Sequence, residues 1–253
     1  MKIFVCVKQV PDTETKIKIN SDGSGIDTAG IKWVMNPYDE YAVEEAVKFK
    51  EKNPGAVVFA VTVGPKSRAA DVLRTALAMG ADEGILINAP ENIDSTATAE
   101  ALAQAIRAEG GAHLLLTGKL AIDDNASSVG QMLAENLQLP HMTVVSKATY
   151  AGPKVLVERD VEGGAKEISE VALPAVLGAN KGLNVPRYAS LPGIMKAKKK
   201  VLKEIEWSPQ EPKTKLVRFS LPPEKPPVKM LAGESSQQAS QLVQLLRDEA
   251  KVL

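Results

Sequence analysis

The stretch Gly118-Lys119-Leu120-Ala121-Ile122-Asp123-Asp124-Asn125-Ala126-Ser127-Ser128-Val129-Gly130-Gln131-Met132 decides the fold. An apolar run, residues 112–117, precedes it, and an amphipathic run, 132–139, follows. The pattern predicts a strand, a turn of small residues and a helix. A helix start of this kind leaves N–H groups unpaired at a partly positive end, where anions and phosphates settle. Asp123, Asp124, Asn125, Ser127 and Ser128 are helix-capping types, and Gly118 and Gly130 allow close backbone approach. An ordinary strand-to-helix loop with a good cap explains the same residues, so the stretch alone leaves both readings open.

Upstream, the same alternation repeats. Residues 2–8 form a short apolar strand, followed by a loop over 9–14. Residues 16–20 and 26–33, around Ser21-Asp22-Gly23, predict a half-exposed hairpin. Gly23-Ser24-Gly25 is not a dinucleotide fingerprint: Thr28 stands where the third glycine is required, and the loop joins two strands. Asn36-Pro37-Tyr38-Asp39-Glu40 predicts a helix start, with Asn as cap, Pro in the first turn and acids behind it. Strand 57–63, helix 67–81, strand 84–88 and a helix capped by Ser95 lead to the strand at 112–117. Strand and helix alternating four times define an α/β chain with a parallel, Rossmann-like sheet and helices on both faces. Ligands of such sheets bind outside the carboxyl ends of the strands. That edge collects residues 6–13, Val63-Gly64-Pro65 and the 118–129 loop, and the helix start at Asn36–Asp39 can join them.

After Pro140 the pattern changes. Residues 142–150, 154–161 and 165–172 predict three antiparallel strands, and 174–178 a last apolar strand. Residues 184–200 mix apolar side chains with lysines. The six prolines of 208–227 leave little core, so the stretch predicts an arm lying on something. The arm ends in a helix over 234–253 with Ala239, Leu242, Val243, Leu246 and Ala250 on one face, which suggests embrace of a partner chain. The domain reading is 1–207 for the α/β nucleotide-binding domain, including a surface loop at 184–200, and 208–253 for the arm.

Composition narrows the function classes. Among 253 residues, Lys+Arg and Asp+Glu are both 31, so the net charge is zero, against bulk nucleic-acid binding. The single cysteine, Cys6, excludes a disulfide within the chain and fits a reducing compartment, so a cytoplasmic location is expected. No apolar run approaches the ~18 residues of a membrane span. The two histidines, His113 and His141, lack acidic or thiol partners at ligand spacing, so no metal site is expected. A serine elbow and a P-loop are both missing, and Cys6 has no histidine base near it in sequence. Asp123 and Asp124 could form an acid/base pair, but capping explains them more simply. From the residues alone the chain reads as an adenine-nucleotide-binding α/β domain with a partner-embracing tail and no visible catalytic group.

Long motifs add a resemblance. Val5-Cys6-Val7-Lys8-Gln9-Val10-Pro11-Asp12, Met35-Asn36-Pro37-Tyr38-Asp39-Glu40-Tyr41-Ala42, Arg74-Thr75-Ala76-Leu77-Ala78-Met79-Gly80-Ala81-Asp82 and Pro186-Arg187-Tyr188-Ala189-Ser190-Leu191-Pro192-Gly193-Ile194-Met195-Lys196 occur in order with the 118–132 stretch. End to end, the chain resembles the electron-transfer flavoprotein beta-subunit family. The resemblance implies an electron carrier, not an enzyme, in a heterodimer with an alpha subunit that holds most of the FAD. It implies a structural AMP in this chain, contacted by Cys6, Asn36, Pro37, Tyr38, Asp39, Val63, Gly118, Lys119, Ala121, Ile122, Asp123, Asp124, Asn125, Ala126, Ser127, Ser128 and Val129. Pro11, Asp12 and Thr13 would lie nearest the flavin. Leu191, Pro192, Ile194, Met195 and Lys196 would dock acyl-CoA or related dehydrogenases, with Leu191 as the apolar anchor. Electrons would pass on to a membrane quinone oxidoreductase, and a eukaryotic source would place the chain in the mitochondrial matrix. Bifurcating members of the family carry a second FAD in place of AMP, with Asp-Gly-Asp-Thr-Ala-Gln-Val-Gly-Pro in the loop. Asp124 stands here where glycine would make room for the larger ligand, which favours AMP. Asn125 and Ser128 also depart from the usual AMP-type loop. An adenine-nucleotide-sensing module of the same fold is the reading from another class.

Overall fold

The computed structural model describes residues 1–208 and 212–253. The chain divides into two compact units, Met1–Ile17 with Asp27–Val217, and Lys18–Ile26 with Arg218–Leu253.

The larger unit holds β1 (Lys2–Cys6), β2 (Gln9–Pro11), β3 (Trp33–Met35), α1 (Pro37–Lys52), β4 (Val57–Gly64), α2 (Lys66–Met79), β5 (Glu83–Asn88), α3 (Ser95–Ala108), β6 (Leu114–Gly118) and α4 (Val129–Leu137). It continues with β7 (His141–Ala151), β8 (Lys154–Asp160), β9 (Lys166–Ala172), β10 (Ala175–Ala179), α5 (Leu191–Lys199) and β11 (Lys203–Glu206). Nine strands form one sheet in the order β11-β5-β4-β1-β6-β10-β7-β8-β9. Neighbours from β11 to β7 are parallel, and β7, β8 and β9 extend the sheet as an antiparallel meander.

Alternation along each central strand explains the layers. Ile3, Val5, Leu114 and Leu116 point into one cluster, under Val43 and Ala46 of α1 and Leu73 and Ala76 of α2. Phe4, Val61 and Leu115 point into the other, under Leu102 and Ile106 of α3 and Leu133 of α4. Both faces are covered, so the central strands are apolar at nearly every position, with Thr62 and Thr117 as buried exceptions.

Four local readings are corrected. Residues 16–33 do not form the hairpin: Ile19 and Ile26 make an isolated bridge, and Trp33–Met35 pairs with Gln9–Pro11, the residues read as a loop. The backbone at the tip is taken by Phe219, whose N–H donates to the Gly23 carbonyl at 2.9 Å. The cap of α3 is Asp94 and not Ser95; its carboxylate accepts from the Ala97 N–H at 2.8 Å. The stretch 184–200 is not all loop, since Leu191–Lys199 is helical behind a Ser190 cap. β11 has no counterpart in the sequence reading: with one apolar residue in four it lacks a core signature, but it closes the sheet edge beside β5.

In the smaller unit, α6 (Ser235–Asp248) begins with a capping box formed by Glu234 and Gln237, and none of its residues is buried. The proline-rich stretch 208–227 includes Pro209, Gln210 and Glu211, which lie outside the described residues.

Candidate functional site

The sheet order changes direction between β1 and β6: β4 and β5 lie on one side of β1, and β6 and β10 on the other. The carboxyl ends of these two strands are Cys6 and Gly118. A crevice at such a switch point is where doubly wound sheets bind ligands.

The start of α1 joins the two strand ends. Asn36 precedes the helix but makes no capping bond. Its Nδ2 instead donates to Asp39 Oδ1 at 2.9 Å and to the Leu120 carbonyl at 2.8 Å, while its Oδ1 accepts from the Ile122 N–H at 3.2 Å. Asp39, 5% exposed, accepts from the Lys8 N–H beyond β1 at 2.7 Å and from the Gly118 N–H at the end of β6 at 3.1 Å. One carboxylate thus ties three segments. Gly118 is required by this closeness, because a β-carbon there would run into Asp39 Oδ1 and stand 2.8 Å from Tyr38 Cβ. Lys119 places its ammonium 4.8 Å from the centre of the Tyr38 ring.

Burial pushes the Asp39 carboxyl up to about 7, against the downward pull of the bonds from Lys8, Asn36 and Gly118. Burial, then the nearby Asp39 charge, pushes the Cys6 thiol up to about 12, although part of Cys6 remains exposed. The thiol stays protonated and does not act as a nucleophile at neutral pH. Cys6 and Val63 both pack against the cluster under α3 and α4.

The 119–128 loop is held differently from the capping reading. Ser128 precedes α4 but makes no side-chain cap. Asp123 and Asp124 pair with Lys8 Nζ at 2.8 and 3.1 Å. Asp124 also accepts from the Ala126 N–H at 3.0 Å, and Ser127 Oγ donates to the Lys119 carbonyl at 3.0 Å. Asn125 and Ser127 take positive φ, 52° and 48°, a conformation asparagine tolerates better than most residues. The side chains of Asp123, Asp124 and Ser127 are engaged within the loop or with Lys8. The first turn of α4 keeps its N–H groups without a side-chain acceptor. Helix starts without a side-chain cap are places where anionic groups settle.

The other predicted residues lie elsewhere. Pro11 pairs with Trp33, and Asp12 accepts from Lys32 Nζ at 2.6 Å and from the Glu14 N–H at 3.2 Å. Beside them Arg68 stacks on the Trp33 ring at 3.9 Å and reaches Gln9 at 3.3 Å, a contact no local pattern announced. Leu191 stands 73% and Met195 57% exposed, with Pro192, Ile194 and Lys196 also at the surface. His113 lies 6.1 Å from the Phe49 ring and His141 is exposed at the start of β7. Among the described residues no cluster of His, Cys, Asp or Glu could hold a metal ion, and no helix is long and apolar enough to cross a membrane.

The sheet, its two helix layers and the reversal of strand order at β1 and β6 define a Rossmann-like α/β domain. Comparison with known proteins adds the family. The family model of the electron transfer flavoprotein domain matches residues 24–209. The electron transfer flavoprotein subunit beta of Bacillus subtilis is 44% identical over the full length of both chains. That of Syntrophomonas wolfei is 42% identical over all of this chain and 98% of its own, and that of Homo sapiens is 44% identical over 81% of each chain. The chain belongs to the electron transfer flavoprotein beta-subunit family.

Proposed function

We propose that the chain works as the beta half of a heterodimer with an electron transfer flavoprotein alpha subunit. In this reading it holds AMP in the crevice between β1 and β6 and forms part of the wall over an FAD held mainly by the partner. The complex takes electrons from dehydrogenases of the acyl-CoA type and passes them to a membrane quinone oxidoreductase. The observation that carries the reading is the junction of Asn36, Asp39 and residues 118–122 at the switch point. Full-length relationship to beta subunits supports it.

Cys6, Asn36–Asp39, Val63, Gly118, Lys119 and residues 121–129 would hold the AMP. Its phosphate suits the uncapped start of α4, where free N–H groups and the helix dipole favour negative charge. Asp124, bound to Lys8 at 3.1 Å, would take up room that a second FAD needs. This supports AMP over the bifurcating arrangement. Bound FAD supplies the one- or two-electron chemistry. The chain's own residues bind, orient and shield: Pro11, Asp12 and Thr13 stand at the end of the β2–β3 ribbon, braced by Lys32. Cys6 is held protonated and Asp39 is taken up by the Lys8 and Gly118 N–H groups, which suits a carrier subunit better than a hydrolase. A nucleotide-hydrolysing module would show turnover by this chain alone.

Docking falls to α5. Leu191 projects from its first turn, with Lys196, Lys198 and Lys199 in its last turn. An apolar anchor with a cationic rim suits a pocket edged by acids. In the heterodimer, Leu191→Ala is expected to slow flavin reduction by a donor dehydrogenase about tenfold or more, with the flavin spectrum unchanged. Stopped-flow absorbance reads both, and wild-type rates in this variant would remove Leu191 from the anchor role.

A further inference from the structure

The helix that carries Leu191 rests on α2 by small residues. Ala197, 2% exposed, faces inward, and Gly193 lies four residues earlier on the same helical face. A β-carbon on Gly193 would stand 2.6 Å from the Ala78 carbonyl near the end of α2. Such a seat has few interlocking side chains to fix its pitch. Polar bonds at the helix end supply what the packing lacks. Arg74, within α2, donates from Nη1 to the carbonyls of Ala197 and Lys200, each at 2.5 Å. These carbonyls belong to the partly negative C-terminal end of α5, where the Ala197 carbonyl otherwise accepts, among the described residues, only the Lys200 N–H at 3.2 Å. In return Lys200 donates to the Ala81 and Asp82 carbonyls just beyond α2. The two helices exchange cations across their ends.

We infer that Arg74 is a positioning residue for electron-donor docking: by holding the end of α5 it fixes the angle at which Leu191 and Met195 are presented. The inference rests on the docking role proposed above. Arg74 lies in α2, 123 residues before Ala197 in the chain, and reaches the docking motif only through the carbonyls at the end of α5. It acts by pre-organisation, since an anchor already in its bound orientation loses less freedom on association.

The test measures electron transfer from a purified acyl-CoA dehydrogenase to the heterodimer as a function of heterodimer concentration. Arg74→Met is expected to raise KM about tenfold, with kcat at saturation and the flavin spectrum unchanged. Arg74→Lys, which keeps one charged donor, is expected to fall between. Val72→Ala, a core truncation in the same helix, is expected to lower Tm while leaving KM alone. A wild-type KM in Arg74→Met beside a raised KM in Leu191→Ala would overturn the inference and leave the docking role standing. An equal KM rise in Val72→Ala would also overturn it, by reducing Arg74 to general stability. Wild-type KM in both Arg74→Met and Leu191→Ala would remove the docking role and the inference together. If Arg74→Met does not fold, Arg74→Lys decides on the same criteria.

Discussion

Asp39→Ala is expected to lose the bound nucleotide and to lower the unfolding free energy by about 3 kcal/mol. Three donors point at this one carboxylate, from Lys8, Gly118 and Asn36. Each buried donor left without an acceptor costs about 1–3 kcal/mol, offset in part by relief of a buried charge. The same change frees the end of β1 from the end of β6, so the crevice loses its frame. The pH dependence has a definite sign. Burial raises the Asp39 carboxyl from 3.8 to about 7, so the folded chain binds this proton more tightly than the unfolded one. The stability it contributes is complete below 3.8 and lost as pH rises through about 7. Asp39→Ala should therefore cost more at pH 5 than at pH 8, with a slope of at most about 1.4 kcal/mol per pH unit between those values. Urea titrations at the two pH values, with mass analysis of extracted nucleotide, check both parts. A variant that unfolds like wild type and retains its nucleotide would show that Asp39 does not frame the crevice.

Removal of residues 230–253 is expected to leave a folded chain that no longer pairs with the alpha subunit. The helix α6 buries none of its residues, and Leu242 and Val243 remain 48% and 46% exposed. Met230 and Val228, before it, are each 85% exposed. Full burial of an apolar side chain contributes about 1.5–3 kcal/mol, so several buried together outweigh the cost of ordering the arm. The expected loss in affinity is at least about a hundredfold. Size-exclusion chromatography of the mixed chains reads the pairing, and circular dichroism reads the fold of the truncated chain. A truncated chain that still co-elutes with the alpha subunit would place the interface elsewhere.

The doubly wound sheet was legible because burial on both faces makes its central strands near-continuous apolar runs. Phe4 between Ile3 and Val5, and Leu115 between Leu114 and Leu116, serve opposite layers. The edge was not legible. Lys203, Glu204 and Glu206 read as solvated charge, yet they flank Ile205 in a strand held by ion pairs from Lys203 to Glu109 and from Lys66 to Glu204. The helix α5 did leave a signal, Ser190 followed by a proline in the first turn, which the run of lysines obscured.

In the crevice, sequence pattern located the segments but misassigned their bonds. Asn36, Asp123 and Asp124 are cap types by residue and position, but each also has partners 84 to 116 residues away, in Leu120, Ile122 and Lys8. Asp39 reads as an ordinary acid in the first turn of a helix, and only the fold brings the Gly118 and Lys8 N–H groups to it. Local periodicity carries no information on contacts at that separation.

The central claim is that the crevice between β1 and β6 holds AMP while a single flavin resides with the alpha subunit. The most direct measurement is denaturation of the purified heterodimer and identification of the released nucleotides by mass. One AMP and one FAD per heterodimer is the predicted result. Two FAD and no AMP would contradict it and would make the complex the bifurcating type.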